Sequence, residues 1–449
     1  MTATSETIVA PATPPGIGGV GIVRISGPRV EAIARGMLGS VPEPREATYR
    51  RFRSADGSDI DVGIALYFPP PKSFTGEAVL ELQGHGGPVV MALLVEAAVA
   101  LGARLAEPGE FTQRAFLNDK LDLAQAEAVA DLVSSGTTQA ARAAFRSLSG
   151  AFSREISELD ERLVRLRMHV EAAIDFPEEE IDFLADEELQ VSLSACAAAF
   201  SEIIAKANSG RVLQNGYRVV IVGKPNAGKS SLLNLLSGED TAIVTELAGT
   251  TRDILREQIN IDGLAVELVD TAGLRDDPDR IEKEGIRRAR KAMADADAVL
   301  WMQDATEAAD GREDEGLPAG IPLILVRNKI DLCGESPGYR PGERGEPGVV
   351  RLSARTGAGI DALRERLREM AGYKDFGEGA FTARQRHVDA LHRAAEHFAT
   401  GRRALQEGHA GELLAEELRL AHQVLGEITG SMSPDDLLGR IFADFCIGK

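Results

Sequence analysis

The 449-residue sequence predicts a multidomain protein of the α/β plus all-α class. Three observations lead there. The chain is longer than one ordinary hydrophobic core holds together. A block from about Gly216 to Gly372 alternates short apolar strands with helical runs, the pattern of a doubly wound α/β domain. Long amphipathic helical runs lie on both sides of that block, as expected of one helical domain split in sequence by an insertion.

Residues 1–118 are rich in glycine, proline and short strand patterns. Val20 to Ile25, Ile64 to Phe68 and Ala78 to Leu82 read as strands, and Val89 to Leu101 as a helix closed by Gly102, giving a small α/β domain. Residues 119–215 form the first helical part, with Leu121, Ala124, Ala128, Val129 and Leu132 on one stripe. A second run breaks at Asp175-Phe176-Pro177, and a third ends before Asn208-Ser209-Gly210. Within 216–372, YRVVIV, LAVELVD, AVLWMQ, IPLILV and VVRL are buried-strand candidates, and the alternating ILREQINI suits an edge strand. Gly334 to Gly348 reads as a loop, and residues 373–449 return to helix.

A formal net charge of -20 argues against broad adhesion to nucleic acid or an anionic membrane, so an RNA partner needs a local basic face. Cys196, Cys333 and Cys446 make neither a CxxC pair nor a disulfide framework. Cys196 and Cys333 read as packing residues. The first residues lack a basic n-region and an apolar h-region, and the most apolar stretch is short and broken by Glu96. A cytoplasmic protein without a membrane span is expected.

The chemistry sits in the middle block. Gly223-Lys-Pro-Asn-Ala-Gly228-Lys229-Ser230 matches GxxxxGK[ST], follows a strand and opens a helix. This is the context a phosphate-binding loop requires, because backbone N–H groups and a helix N-terminus then face the phosphates. Asn226, Ala227, Gly228, Lys229, Ser230 and Ser231 line the nucleotide in this reading. Lys229 reaches the β- and γ-phosphates and Ser230 holds Mg²⁺. Asp270-Thr271-Ala272-Gly273 follows the next strand, with a carboxylate for the metal's outer shell and a glycine N–H for the γ-phosphate. Asn328-Lys329-Ile330-Asp331 adds a carboxylate that accepts from guanine N1–H and its 2-amino group, which adenine does not offer. Ser353-Ala354-Arg355 supplies a backbone N–H for guanine O6, and Thr251 in GTTRD the second Mg²⁺ hydroxyl. Four elements in order, each at a strand end, predict a Ras-like G domain that binds and hydrolyses GTP.

After DTAG stands Leu274, which cannot orient water as the usual glutamine does. Arg252, Arg275, Glu282 and Glu284 are the nearby candidates, acting on the water or as a replacement cation. An apparent dinucleotide motif, Gly16-Ile-Gly18-Gly19-Val20-Gly21, has prolines before it and a strand after it, so no Rossmann site is expected. Glycine-flanked His85 has no visible partner and reads as structural.

Asn226, TAIVTELAGTTRD and Leu274, together with ATPPGIGGVGIVRISG, LELQGHGGP, FLNDKLDLAQAEA and LLGRIFADFCIGK, resemble the MnmE (TrmE) family of tRNA-modification GTPases over essentially the whole chain. The resemblance implies a homodimer whose G domains meet during hydrolysis, with K⁺ as the activating cation. Asn226 would supply a side-chain oxygen to K⁺, with the Thr245 and Leu247 carbonyls and Thr250, and Glu282 would position the water. The resemblance also implies a folate-binding, dimerising N-terminal domain. Its tetrahydrofolate derivative, the 5,10-methylene or 5-formyl form, would meet Arg24, Glu81, Lys120 and Lys449. Cys446 becomes a candidate thiol for the tRNA chemistry, in preference to a prenylation box, which Gly448 and Lys449 fit poorly. The implied activity is a carboxymethylaminomethyl-type modification at carbon 5 of the wobble uridine, position 34, of certain tRNAs. It is shared with an MnmG-type partner that uses FAD and NADH, in a heterotetramer. Two readings of other classes stand beside it: a regulatory GTPase switch of the ribosome-assembly type, and a scaffold whose GTPase gates assembly.

Overall fold

In the computed structural model the described residues are 6–175, 187–224, 226–239, 256–261, 263–270, 296–307, 321–342, 347–372, 379–408, 410–432, 435–443, 445 and 448. The chain forms two compact units, residues 1–130 with 426–449, and residues 131–425.

The first unit is built on a six-stranded sheet. Its strands are β1 (Ile8–Pro11), β2 (Gly18–Ser26), β3 (Thr48–Arg53), β4 (Asp59–Phe68), β5 (Val79–Gly86) and β6 (Arg104–Leu105). Their order is β3-β4-β5-β2-β1-β6, antiparallel except for β1 beside β6. Alternation along the strands sends Val23, Ile25, Phe52, Leu80 and Leu82 to one face, where they pack with Ile33 and Met37 of α1 (Val30–Leu38) and Leu94 of α2 (Pro88–Ala100). Of the false dinucleotide glycines, Gly21 belongs to this packing. A Cβ on Gly21 would stand 2.5 Å from the Met91 sulfur, so the residue is small because α2 lies close against β2.

Helices α3 (Glu110–Leu117) and α4 (Leu123–Ser134) follow the sheet. Leu123 and Ala126 share a cluster with Leu438, Ile441 and Phe442 of the terminal helix Asp435–Ala443, and with Phe445. The same unit holds a network of charge centred on the buried Glu110 and Arg114. Glu110 accepts from Arg104 at 2.7 and 2.8 Å and from Arg114 at 2.9 Å, while Arg114 also reaches Glu77 at 2.9 Å. Burial pushes the Glu110 carboxyl upward, but the bonds from Arg104, the Glu107 amide and Arg114 outweigh it and leave the pKa below the ordinary value.

The second unit begins with α5 (Thr138–Leu148), α6 (Ala151–Asp175) and α7 (Glu187–Asn215). Helix α7 continues through Asn208-Ser209-Gly210, where the sequence suggests a stop. The triplet is a site of close approach instead. Ser209 Oγ donates to the Gly372 carbonyl at 3.1 Å, and a Cβ on Gly210 would strike the Phe381 carbonyl. Among the described residues α7 is the one helix long and apolar enough to cross a membrane. Its stripe of Leu189, Leu193, Cys196, Phe200, Ile203 and Ala207 is buried in the protein, with the Phe200 ring 5.5 Å from that of Phe398.

The chain then enters a seven-stranded sheet. Its strands are β7 (Tyr217–Gly223), β8 (Arg256–Ile261), β9 (Leu264–Asp270), β10 (Ala298–Asp304), β11 (Leu323–Asn328), β12 (Gly338–Arg340) and β13 (Gly348–Arg351). The order is β12-β13-β11-β10-β7-β9-β8. The five inner strands are parallel and the edge strands β8 and β12 antiparallel. Strand β12 lies inside the stretch read as loop, where Tyr339 stacks under Arg366 at 4.9 Å. Helix α8 (Lys229–Glu239) follows β7, and α9 (Ile360–Met370) follows β13. Helices α10 (Gln385–Gly408) and α11 (Gly411–Thr429) return to the helical part. A seam binds the two parts of this unit, since Ala143, Val212 and Leu213 belong to the core of the seven-stranded sheet, while Ser147 Oγ donates to the Thr382 carbonyl at 3.1 Å within the helical part.

Cys196 is buried as expected, and burial raises its thiol pKa. Cys333 is not a packing residue. It is exposed, because it follows the tight turn Ile330–Leu332 at the rim of the sheet. Iodoacetamide should therefore label Cys333 in the native protein and Cys196 only after unfolding, as read by peptide mass spectrometry. Glu110→Gln should cost about 3 kcal/mol at neutral pH, measured by denaturant unfolding of the whole chain. A depressed carboxyl contributes stability above its unfolded pKa, so the wild-type advantage should shrink as the pH falls below the ordinary 4.5.

Candidate nucleotide-binding site

Strand β7 is buried on both faces through Val219, Val220 and Ile221, which fixes it in the middle of the sheet between β9 and β10. It ends at Gly223, whose φ of +150° and contact with the Met302 carbonyl leave no room for a side chain. The chain then turns through Asn226 at φ +65° and Gly228 at φ +97°. Asparagine is among the few residues that take this conformation easily. Lys229 opens α8, so its first N–H groups lie at the carboxyl end of the parallel strands, where open α/β sheets bind ligands. Leu232, Leu233 and Leu236 anchor the helix on the core, while Asn226, Ser230 and Ser231 stay exposed.

The other motif residues arrive at the same edge by register. Asp270 ends β9 opposite Ile221, and Asp304 ends β10 opposite Asn328, which ends β11. Asn328 is buried, and both ends of its carboxamide are engaged. Nδ2 donates to the Ala227 carbonyl at 2.8 Å, and Oδ1 accepts from the Ala354 N–H at 2.9 Å. It therefore ties the phosphate loop to the Ser353-Ala354-Arg355 loop instead of facing outward. Gly228 is small for the same reason, since a Cβ there would run into Asn328 Nδ2. Asp331 is held by two neighbours, Ser353 Oγ at 2.6 Å and Arg355 at 3.1 Å. Lys229 Nζ donates to the Gly223 and Lys224 carbonyls at 2.8 and 2.9 Å. A cation folded onto its own loop in this way has the reach to exchange those carbonyls for phosphate oxygens.

In the first unit, Arg24 and Glu81 are register partners on β2 and β5, and they pair with each other at 2.8 Å. The guanidinium lies 5.4 Å from the Phe74 ring centre and 5.8 Å from that of Phe111. Lys120 Nζ donates to the Pro71 carbonyl at 2.9 Å. His85 has the partner that its local sequence conceals. Its Nδ1 meets Asp61 Oδ1 at 2.8 Å, and its N–H donates to Asp61 Oδ2 at 2.8 Å. Burial raises the Asp61 carboxyl, but these bonds outweigh it and hold the pKa below normal.

The family profile described as MnmE helical domain matches residues 123–446, and that described as GTP-binding protein TrmE N-terminus matches residues 7–120. The chain belongs to the MnmE family. It is similar to the tRNA modification GTPase MnmE of Yersinia pseudotuberculosis serotype IB, at 54% identity over 99% of this chain and 100% of that protein. It is 56% identical to the MnmE of Alkalilimnicola ehrlichii over 99% of each chain. A solved G domain of the T. maritima FeoB iron transporter is 25% identical over 34% of this chain and 98% of that one, at a TM-score of 0.24. As an MnmE-family member the chain is a GTP hydrolase of tRNA modification. Thr245, Leu247, Thr250, Thr251, Arg252, Thr271, Ala272, Gly273, Leu274, Arg275, Glu282, Glu284, Cys446 and Lys449 lie outside the described residues, as does the side chain of Asp270.

Asn328→Ala should remove both loop ties and leave the Ala354 N–H without its partner. GDP affinity should fall by about tenfold or more, read with a fluorescent GDP analogue.

Proposed function

We propose that this chain is a K⁺-activated GTPase that, with a flavin-dependent partner subunit, installs a carboxymethylaminomethyl-type group on carbon 5 of the wobble uridine of certain tRNAs. The observation that carries the reading is full-length likeness to tRNA modification GTPases at 54–56% identity. The domain division at 118, 215 and 372 belongs to the same reading, as do the cytoplasmic location, the homodimer and the MnmG-type partner.

The groups present fit the proposed cofactors. Ser230 is exposed in the first turn of α8, across from the strand that ends at Asp270, which suits Mg²⁺. Magnesium there would neutralise charge between the β- and γ-phosphates. Asn226 is exposed in a left-handed turn beside the phosphates, which suits an oxygen ligand to K⁺. Thr245, Leu247 and Thr250 complete that site, Thr251 the magnesium site, and Glu282 orients water, all by family resemblance. Arg252 and Arg275, close to these motifs in sequence, are the further candidate cations.

In the first unit the Arg24–Glu81 pair, bracketed by Phe74 and Phe111, offers a charged and aromatic surface for a folate. A bound tetrahydrofolate derivative would supply the one-carbon unit. Arg24 and Glu81 would exchange their mutual bond for ligand groups, and family resemblance adds Lys120 and Lys449 to that site and makes Cys446 the thiol of the tRNA step.

Nucleoside mass spectrometry of tRNA from cells lacking the protein tests the reading. The wobble-uridine adduct should vanish, and return with wild type but not with Asp270→Ala or Cys446→Ser. Unchanged tRNA sinks the enzyme assignment in favour of a GTP-driven switch. In vitro, turnover should be faster in K⁺ than in Na⁺ at equal ionic strength, and equal rates would remove the potassium site.

A further inference from the structure

We propose that Asp304 is a positioning residue for guanine nucleotide, acting by holding Lys329 across the edge of the base site. The inference rests on the reading of Asn328 to Asp331 as the base-recognition segment.

Asp304 is the last residue of β10, in register with Asn328. Its two oxygens serve different elements. Oδ1 accepts from the Thr306 N–H at 2.9 Å and from Thr306 Oγ1 at 2.7 Å, which closes the turn leaving the strand. Oδ2 takes Lys329 Nζ at 2.6 Å. Lys329 itself has φ +65°, a left-handed backbone that side chains seldom adopt, and it leads directly into the turn Ile330–Leu332 that carries Asp331. The lysine is thus fixed at its backbone by the turn and at its ammonium by Asp304. Its four methylenes span the gap between the end of β10 and the segment that reads guanine. Such a tethered stem is a narrow apolar strip of the kind a purine face covers, with the charge kept at the far end.

The pair has little to do for folding. The Lys329 side chain is 31% exposed and that of Asp304 14%, and an ion pair with one partner open to water contributes modestly to stability. The Lys329 bond, and then Thr306, hold the Asp304 carboxyl down to about 2, so the anchor keeps its charge at any pH the protein works in. A lysine at this site without an anchor would sample many rotamers, and nucleotide binding would have to order it.

The test is binding and release of a fluorescent GDP analogue, with steady-state GTP hydrolysis, on full-length Asp304→Asn, Asp304→Glu, Lys329→Ala, Asp331→Ala and the double variant Asp304→Asn/Lys329→Ala. Asp304→Asn preserves the Thr306 turn and should weaken GDP about five- to tenfold through faster release. KM for GTP should rise with kcat at saturation unchanged, and Asp304→Glu should recover part of the affinity. The double variant should bind no more weakly than Lys329→Ala alone. Normal GDP binding by Asp304→Asn, or losses that multiply in the double variant, would overturn the proposal while leaving base recognition intact. Normal binding by both Lys329→Ala and Asp331→Ala would overturn base recognition and the proposal together.

Discussion

The Asn328 carboxamide joins two loops that the chain makes far apart, one 101 residues before it and the other 26 residues after it. A primary amide suits that place because it donates at one end and accepts at the other. Both of its partners are backbone groups, a carbonyl and an N–H. The parallel sheet delivers Asn328 to the right height by ending β11 in register with β10. Gly228 makes room for the amide, and the ordered Ser353 loop then orients Asp331. The phosphate loop and the segment assigned to the base are therefore parts of one hydrogen-bonded frame.

The first unit uses polar burial differently. Glu110, Arg104, Arg114 and Glu77 form a chain of opposed charges, in which each carboxylate meets at least one guanidinium. Charge neutralisation at close range offsets the desolvation that would expel any of these groups alone. The Arg24–Glu81 pair stands apart from that network, with its guanidinium against two aromatic rings. One ion-pair system is thus a branched network, and the other a single pair set against aromatic rings.

The fold class, the central strands and the order of GTPase motifs were legible because each is written in consecutive residues. The phosphate loop needs only eight of them, and the buried strands announce themselves as apolar runs. What could not be read depends on partners that the sheet brings together. His85 meets Asp61, 24 residues away on a neighbouring strand, and no local pattern marks that pairing. Arg24 and Glu81 looked like separate ligand contacts because register is not visible in one sequence. Asn328 carried its motif's base-recognition label, although its buried amide serves the loops. Asn208-Ser209-Gly210 looked like a helix stop because small polar residues mark both breaks and close approaches, and only the Phe381 backbone decides between them.

Helix α7 has a mechanical consequence. Its 29 residues extend about 43 Å at 1.5 Å per residue, and a single residue, Gly216, separates it from the strand that ends in the phosphate loop. Gly216 has φ +74° and lies against the Ala265 carbonyl, so the joint is compact. A rod of that length amplifies small angles: each degree of rotation at the joint carries the far end through about 0.75 Å. Ten degrees would displace the other end by about 7.5 Å. Packing next to the joint opposes such a rotation, because Val212 and Leu213 lie in the core of the sheet and Ser209 bonds the Gly372 carbonyl.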